Sequence, residues 1–139
     1  MSKHHDWEGL DQDYIPPKGI EGFIYLIEDR ETGYRYIGKK SFWSRVKDNK
    51  KSSPTFGKRI EKESNWRAYQ SSNKTVADWD NPIKKVLCLC KTTFELSYKE
   101  IEILIKSDAI LKDRYKNYLI GREPIGKPSS DLRISYTPK

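Results

Sequence analysis

The sequence predicts a small α+β domain, and three stretches carry that expectation: a hairpin over residues 22–38, an apolar strand over residues 84–92, and a helix from Ser97 to about Lys106. Residues 23–27 and 34–37 are rich in aromatic and β-branched side chains, the composition of strands. The polar segment between them ends in Thr32-Gly33, where glycine supplies the positive φ that a connection of this length needs. An antiparallel hairpin follows, in which Tyr25 and Tyr36 need be no more than half-buried strand aromatics.

At 139 residues the chain has room for one domain with a modest core. Apolar residues make up 35% and charged residues 34%, so much of the chain must lie at the surface and nine Tyr, four Trp and four Phe supply much of what can be buried. The organisation expected is an N-terminal arm over 1–21, a body over 22–121 and an irregular tail over 122–139 with three prolines. Trp7 and Tyr14 are candidates to pin the arm, and His4 and His5 are expected as solvated imidazoles.

Residues 39–62 show no clean period and contain Ser52-Ser53-Pro54 and Gly57, which predicts a long basic loop with a short helix near Trp43. Residues 61–70 are expected to be helical, with Ile60, Trp66 and Tyr69 buried, and residues 73–80 to form a turn of helix stopped by Asn81-Pro82. The run Val86-Leu87-Cys88-Leu89-Cys90 predicts a third strand covered on both faces. Its two cysteines share a face, which disfavours a mutual disulfide, and they stand without a second Cys or His cluster; buried thiols are expected rather than a zinc site. In the helix, Tyr98, Ile101 and Ile105 recur at helical spacing on the expected core side, and Ser97 with Glu100 makes a capping-box pattern.

Charge is distributed unevenly. Residues 39–74 hold eleven Lys and Arg against three acids, which by itself exceeds the +7 of the whole chain. Phe42, Trp43, Phe56, Trp66 and Tyr69 are interleaved with these cations, a mixture suited to phosphate contacts and base or sugar packing. DNA or another nucleic acid is therefore the expected partner. An anionic membrane fits less well, because no amphipathic helical period accompanies the charges. No run has the length of a membrane span and no signal-peptide pattern opens the chain, so a soluble cytoplasmic protein is expected.

Gly22-Phe23-Ile24-Tyr25 and Tyr36-Ile37-Gly38 resemble the two halves of the signature of the GIY-YIG nuclease family, with Phe inserted in the first half and the second intact. The two tyrosines stand eleven residues apart, as is usual in that family. The resemblance implies a small three-stranded antiparallel sheet flanked by helices. It also implies cleavage of DNA phosphodiesters with a divalent metal, Mg²⁺ or alternatively Mn²⁺, held by one glutamate. An arginine after YIG, a glutamate in a later helix and then an asparagine should follow in order.

Arg45 stands nine residues beyond Tyr36, one short of the family's usual offset, with Lys40, Arg59 and Arg67 as substitutes. A cation suits this place because a planar guanidinium meets two phosphorus oxygens as negative charge builds on them. Glu100 follows the third strand as the metal-binding glutamate does, and the segment ELSYKE that it ends resembles the lead-in of phage-type members. A single carboxylate suits Mg²⁺, although a capping glutamate needs no catalytic role, and Glu102 competes for the assignment. Asn117 is the candidate asparagine. Tyr25, or else Tyr36, would position or deprotonate the attacking water, with Tyr25 preferred as base and Lys39 or Lys40 needed to depress its pKa. Lys39, Lys40, Arg59, Lys62 and Arg67 are the expected DNA contacts. Ser64-Asn65-Trp66-Arg67-Ala68-Tyr69, followed by Ser71-Ser72, resembles a block of phage homing-type members, and the sequence assigns it no chemical role.

The function expected is thus a phage-type, metal-dependent DNA endonuclease spanning residues 22–120. The rival is a nucleic-acid-binding module on the same fold without catalysis. A small interaction protein kept soluble by its lysines explains neither the tyrosine spacing nor the charge cluster. With no room for a separate DNA-reading domain, target choice is expected to come from the basic segment, a homodimer or a partner protein.

Overall fold

The computed structural model describes residues 4–117 and the backbone of 119–120 and 123–124. In chain order the elements are β1 (Trp7–Glu8), β2 (Gly22–Asp29), β3 (Arg35–Ser41), β4 (Trp43–Lys47), β5 (Arg59–Glu63), α1 (Lys74–Ala77), β6 (Pro82–Cys90), α2 (Thr93–Lys106), a 3-10 turn at Ala109–Leu111, β7 (Leu119–Ile120) and β8 (Glu123–Pro124). The α+β class is as expected, but the main sheet has four strands, in the order β1-β6-β2-β3, rather than the expected three.

The added strand is β1, which runs parallel to Lys84 and Lys85. Two residues give no periodic signal, and what places them is the burial of Trp7. Its ring is 1% exposed, meets Phe23 edge-on at 4.9 Å, and donates its Nε1–H to the Trp66 carbonyl at 2.8 Å. Truncating such a side chain to Ala costs about 3–5 kcal/mol. His5 is buried as well, contrary to the expectation of a solvated imidazole. Its Nδ1 accepts the Trp7 N–H at 3.0 Å and its Nε2–H donates to the Asp11 carbonyl at 2.6 Å.

The hairpin forms as expected, β2 pairing antiparallel with β3. Its turn is organised by Asp29, whose carboxylate takes the Glu31 N–H and the Thr32 hydroxyl and whose carbonyl takes the Gly33 N–H, with Gly33 at φ +75°. Alternation along β2 then sorts the core into two layers. Phe23, Tyr25 and Ile27 join Trp7, Phe42, Trp66 and Val76 in an aromatic layer. Ile24 joins Ile37, Cys90, Leu96, Leu104 and Ala109 on the other face, beneath α2.

In β6 a one-residue bulge beside Ile24 and Tyr25 exchanges the faces, so that Val86 packs on the aromatic layer and Cys88 on the other. Cys88 and Cys90 do share a face as free thiols, and burial together with Cys88 pushes the Cys90 thiol up to about 12. Coverage of the strand is incomplete, however, since Leu87 and Leu89 are 41% and 40% exposed.

Residues 39–62 are not a long loop, and residues 61–70 are not a helix. The end of β3 leads through Phe42 into β4, which returns as β5 in an antiparallel ribbon. Beyond Trp43 at its start, Val46 and Ile60 are the only apolar residues of the two strands, so hydrophobic periodicity cannot reveal the ribbon. Its register is set by polar pairs instead, Arg45 facing Glu61 with an ion pair of 3.0 Å. Trp66 and Tyr69 do contribute to the core as expected, from a turn. The short helix α1 lies within residues 73–80, capped by Asn73.

The helix α2 begins four residues before Ser97. Thr92 caps it, its hydroxyl accepting the Glu95 N–H at 3.0 Å, while the Glu95 carboxylate takes the Lys91 N–H. The sequence thus holds two capping patterns in tandem, and the earlier one wins because it extends the helix and buries Leu96. The expected core side is also reversed: Leu96 and Leu104 are buried, whereas Tyr98, Ile101 and Ile105 are exposed. The expectation of an irregular C-terminal tail lies outside the described residues, apart from the antiparallel backbone pairing of β7 with β8. Among the described residues, no helix is long and apolar enough to cross a membrane.

Candidate active site

Both motif glycines are places where backbone or ring must come close. A Cβ on Gly22 would strike the Lys40 carbonyl across the hairpin, and one on Gly38 would strike the ring and hydroxyl of Tyr25. Tyr25 and Gly38 are paired in register, so the phenol of β2 leans over β3, the edge strand of the sheet. The ring is 1% exposed, 6.4 Å from Tyr36 and 6.0 Å from Tyr69, the latter edge-on. Burial, with the neighbouring phenols of Tyr69 and Tyr36, raises the Tyr25 pKa far above its usual value, and a hydrogen bond with Ser71 only partly offsets this. Tyr25 therefore holds its proton at neutral pH.

Ser71 is itself strained, with φ +100° in the left-handed region, and its hydroxyl accepts the Asn73 N–H at 3.0 Å. Tyr69 and Ser71 are functional-site candidates to which the sequence assigns no chemical role. The sequence signals for them are the block that ends in Tyr69 and is followed by Ser71, and, for Tyr69, its place among the aromatics interleaved with the basic segment.

Alternation on β3 sends Lys39 and Lys40 to opposite faces. Lys40 stands over the Tyr69 ring at 4.2 Å on the aromatic side, its pKa lowered by burial. It also lines a groove of about 490 Å³ with Lys62, Trp43, Ser44, Ser64 and Asn65. Lys39 turns toward α2 and donates to the Ser97 hydroxyl at 2.8 Å.

Glu100 lies one helical turn from each of Leu96 and Leu104, hence on the inward stripe of α2. It is half-buried and caps nothing, because Glu95 fills that role a turn earlier. Burial raises its carboxyl pKa, and the positive charge of Lys39 opposes that rise. No hydrogen bond reaches it among the described residues. Such a carboxylate, under-solvated and short of donors, fits a single protein oxygen ligand to a hard cation that keeps most of its waters. No cluster of three or more His, Cys, Asp or Glu able to hold a metal occurs among the described residues. Glu102 faces outward instead, paired with Lys99 at 3.0 Å and Lys106 at 3.6 Å.

Asn117 is brought directly to the motif: its Oδ1 accepts the Ile37 N–H and its Nδ2 donates to the Ile37 carbonyl. Together with backbone bonds between Arg35 and residues 114 and 116, this zips the chain to the edge of β3 as far as Ile37. Arg45 is not brought to this place. Its guanidinium is bidentate to Glu21 at 2.8 and 3.0 Å and pairs with Glu61. Arg67 is paired with Glu63, lies over the Trp66 ring, and donates to the Tyr14 carbonyl. Arg59 sits at the far end of the ribbon, opposite Lys47.

The likeness to known families decides what this arrangement belongs to. Residues 7–120 match the family model described as the GIY-YIG domain of the putative endonuclease segE. The chain belongs to the GIY-YIG family. No curated protein and no solved structure matches it. Within this GIY-YIG domain the hairpin tyrosines and Lys40 occupy one face of the sheet, and Lys39 and Glu100 the other.

Proposed function

We propose that the chain is a metal-dependent DNA endonuclease whose reacting centre lies at the edge of β3, around Gly38 and Lys39. The observation that carries this reading is the register of Tyr25 with Gly38. It sets the buried phenol over the very strand from which Lys39 and Lys40 reach to either side. Glu100 would hold Mg²⁺ or Mn²⁺, which supplies polarisation of the phosphate and a more acidic water. Lys39 and Lys40 place positive charge beside the phosphate oxygens, the role that Arg45, held by two carboxylates, is poorly disposed to take. Because Tyr25 keeps its proton at rest, its hydroxyl orients the attacking water rather than acting as the resting base. Asn117 fixes the edge on which this happens. A phage-encoded role in homing, or in cutting host or competitor DNA, rests on the phage-type blocks at residues 64–69 and 95–100.

A non-catalytic nucleic-acid module has one observation in its favour, the sequestration of Arg45. Conversion of supercoiled plasmid to nicked and linear forms, with and without Mg²⁺ or Mn²⁺, separates the two. Metal-dependent cutting that disappears in Glu100→Ala and Tyr25→Phe, with DNA binding retained, is expected of the enzyme. Salt-sensitive binding with no cutting under any metal condition would leave the module.

A further inference from the structure

The ribbon of β4 and β5 ends in an eleven-residue loop, residues 48–58, that is built from the inside. Asp48 is buried, and its carboxylate takes the Lys50 N–H at 3.0 Å and the Thr55 hydroxyl at 2.5 Å. Its backbone bonds to the Lys58 carbonyl and the Gly57 N–H, both at 2.8 Å. Further turns link Lys50 to Ser53, Ser53 to Phe56 and Thr55 to Lys58, and Gly57 takes φ +82°. On this ordered tip Phe56 is 51% exposed and belongs to neither core layer. A fixed loop that displays a phenyl ring differs from a loose one that happens to expose it.

The cations around the tip are arranged as unusually. Lys18, Arg45 and Arg67 are all paired with carboxylates, those of Glu61, Glu21 and Glu63. Lys47, Lys50, Lys51, Lys58, Arg59 and Lys62 form no ion pair among the described residues, and Lys47 faces Arg59 directly across the ribbon. Like charges so placed repel each other unless an anion lies between them. Lys62 shares a groove with Lys40, whose ammonium stands over the Tyr69 ring.

We propose that this ribbon is a DNA-docking arm: its unpaired cations follow the phosphates of a duplex while Phe56 wedges at a base step in the minor groove. The choice of DNA rests on the nuclease reading above. An exposed apolar side chain on a rigid, cation-flanked tip is the device by which minor-groove proteins unstack a step and fix their position. The arm would set where the cut falls relative to a deformable step.

The test is metal-free binding of a fluorescein-labelled duplex, read by anisotropy, alongside a duplex carrying 2-aminopurine. Wild type should raise 2-aminopurine emission. Phe56→Ala should abolish that rise and weaken binding by about tenfold with little change in salt dependence, since a phenyl ring neutralises no phosphate. The triple variant Lys50→Ala, Lys51→Ala, Lys58→Ala should reduce the slope of log K against log salt by about 2–3, because each phosphate left without its lysine lowers the slope by nearly one. Wild-type affinity and 2-aminopurine response in Phe56→Ala, or tighter binding to an RNA duplex than to DNA, would overturn the arm. Because no metal is present, these outcomes are independent of cutting: an inactive protein that passes leaves the arm intact and removes the nuclease.

Discussion

The side-chain amide of Asn117 satisfies both backbone groups of Ile37, accepting its N–H at 3.0 Å and donating to its carbonyl at 2.8 Å. One side chain thus does on the open edge of β3 what a further strand residue would do, eighty residues away in sequence. The residue between Tyr36 and Gly38 is held in place by the asparagine that the family pattern expects last.

Asn117→Ala should therefore act on stability as well as activity. Leaving two backbone groups of a half-buried edge without partners costs about 1–3 kcal/mol. Thermal denaturation of the variant, compared with its plasmid nicking rate, would show both fall while DNA affinity is kept. An unchanged melting temperature would leave Asn117 without this positioning role.

Gly38→Ala places a methyl group against the Tyr25 hydroxyl and ring. Overpacking of this kind costs about 1–3 kcal/mol. The cost should vanish when Tyr25 is also Ala, a coupling that urea denaturation of the four proteins of a double-mutant cycle measures directly. Additive effects would mean that the ring moves aside freely.

Glu100 is a carboxyl whose folded-state pKa is raised by burial. Its favourable contribution is present below the unfolded value, near 4.5, and is lost as pH rises through the folded one. Glu100→Gln should therefore melt above wild type at pH 7, with the difference closing near pH 4, while metal-dependent nicking disappears. Lower stability of the variant at pH 7 would show that the Lys39 attraction outweighs burial.

Arg45 bears on the opposite sign. The pKa of Glu21 is lowered chiefly by its hydrogen bond from Arg45, so the pair stabilises above the unfolded value and its contribution is lost as pH falls through the folded one. Arg45→Ala should be destabilised most at pH 7, and its gap to wild type should narrow in acid. A variant with full thermal stability and abolished cutting would return Arg45 to the catalytic set.

How much of the fold and site is legible in the sequence depends on the kind of force involved. The hairpin and β6 are written in aromatic and β-branched residues, and both appear where expected. The β4–β5 ribbon is written in ion pairs such as Arg45 with Glu61, which carry no hydrophobic period, so its sequence resembles loop and helix. Strand β1 is too short for any period, and only the fit of Trp7 between Phe23 and Trp66 places it. Glu100 stands out for its position after a strand, but its freedom from capping depends on Thr92 and Glu95, which offer the same pattern a turn earlier. That Tyr25 and Glu100 stand on opposite faces follows from strand alternation combined with the side on which α2 packs, and the latter has no signature in one sequence.

The central claim is that Tyr25 and Glu100, one from each face, serve a single centre at the edge of β3. The most direct measurement is substoichiometric Mn²⁺ titration of the ¹⁵N-labelled protein, read as line broadening of backbone amides. Broadening that is strongest at Gly38, Lys39 and Glu100, and is lost in Glu100→Ala, is the result expected. Broadening centred on Asp48 or Glu102, or unchanged in Glu100→Ala, would contradict it.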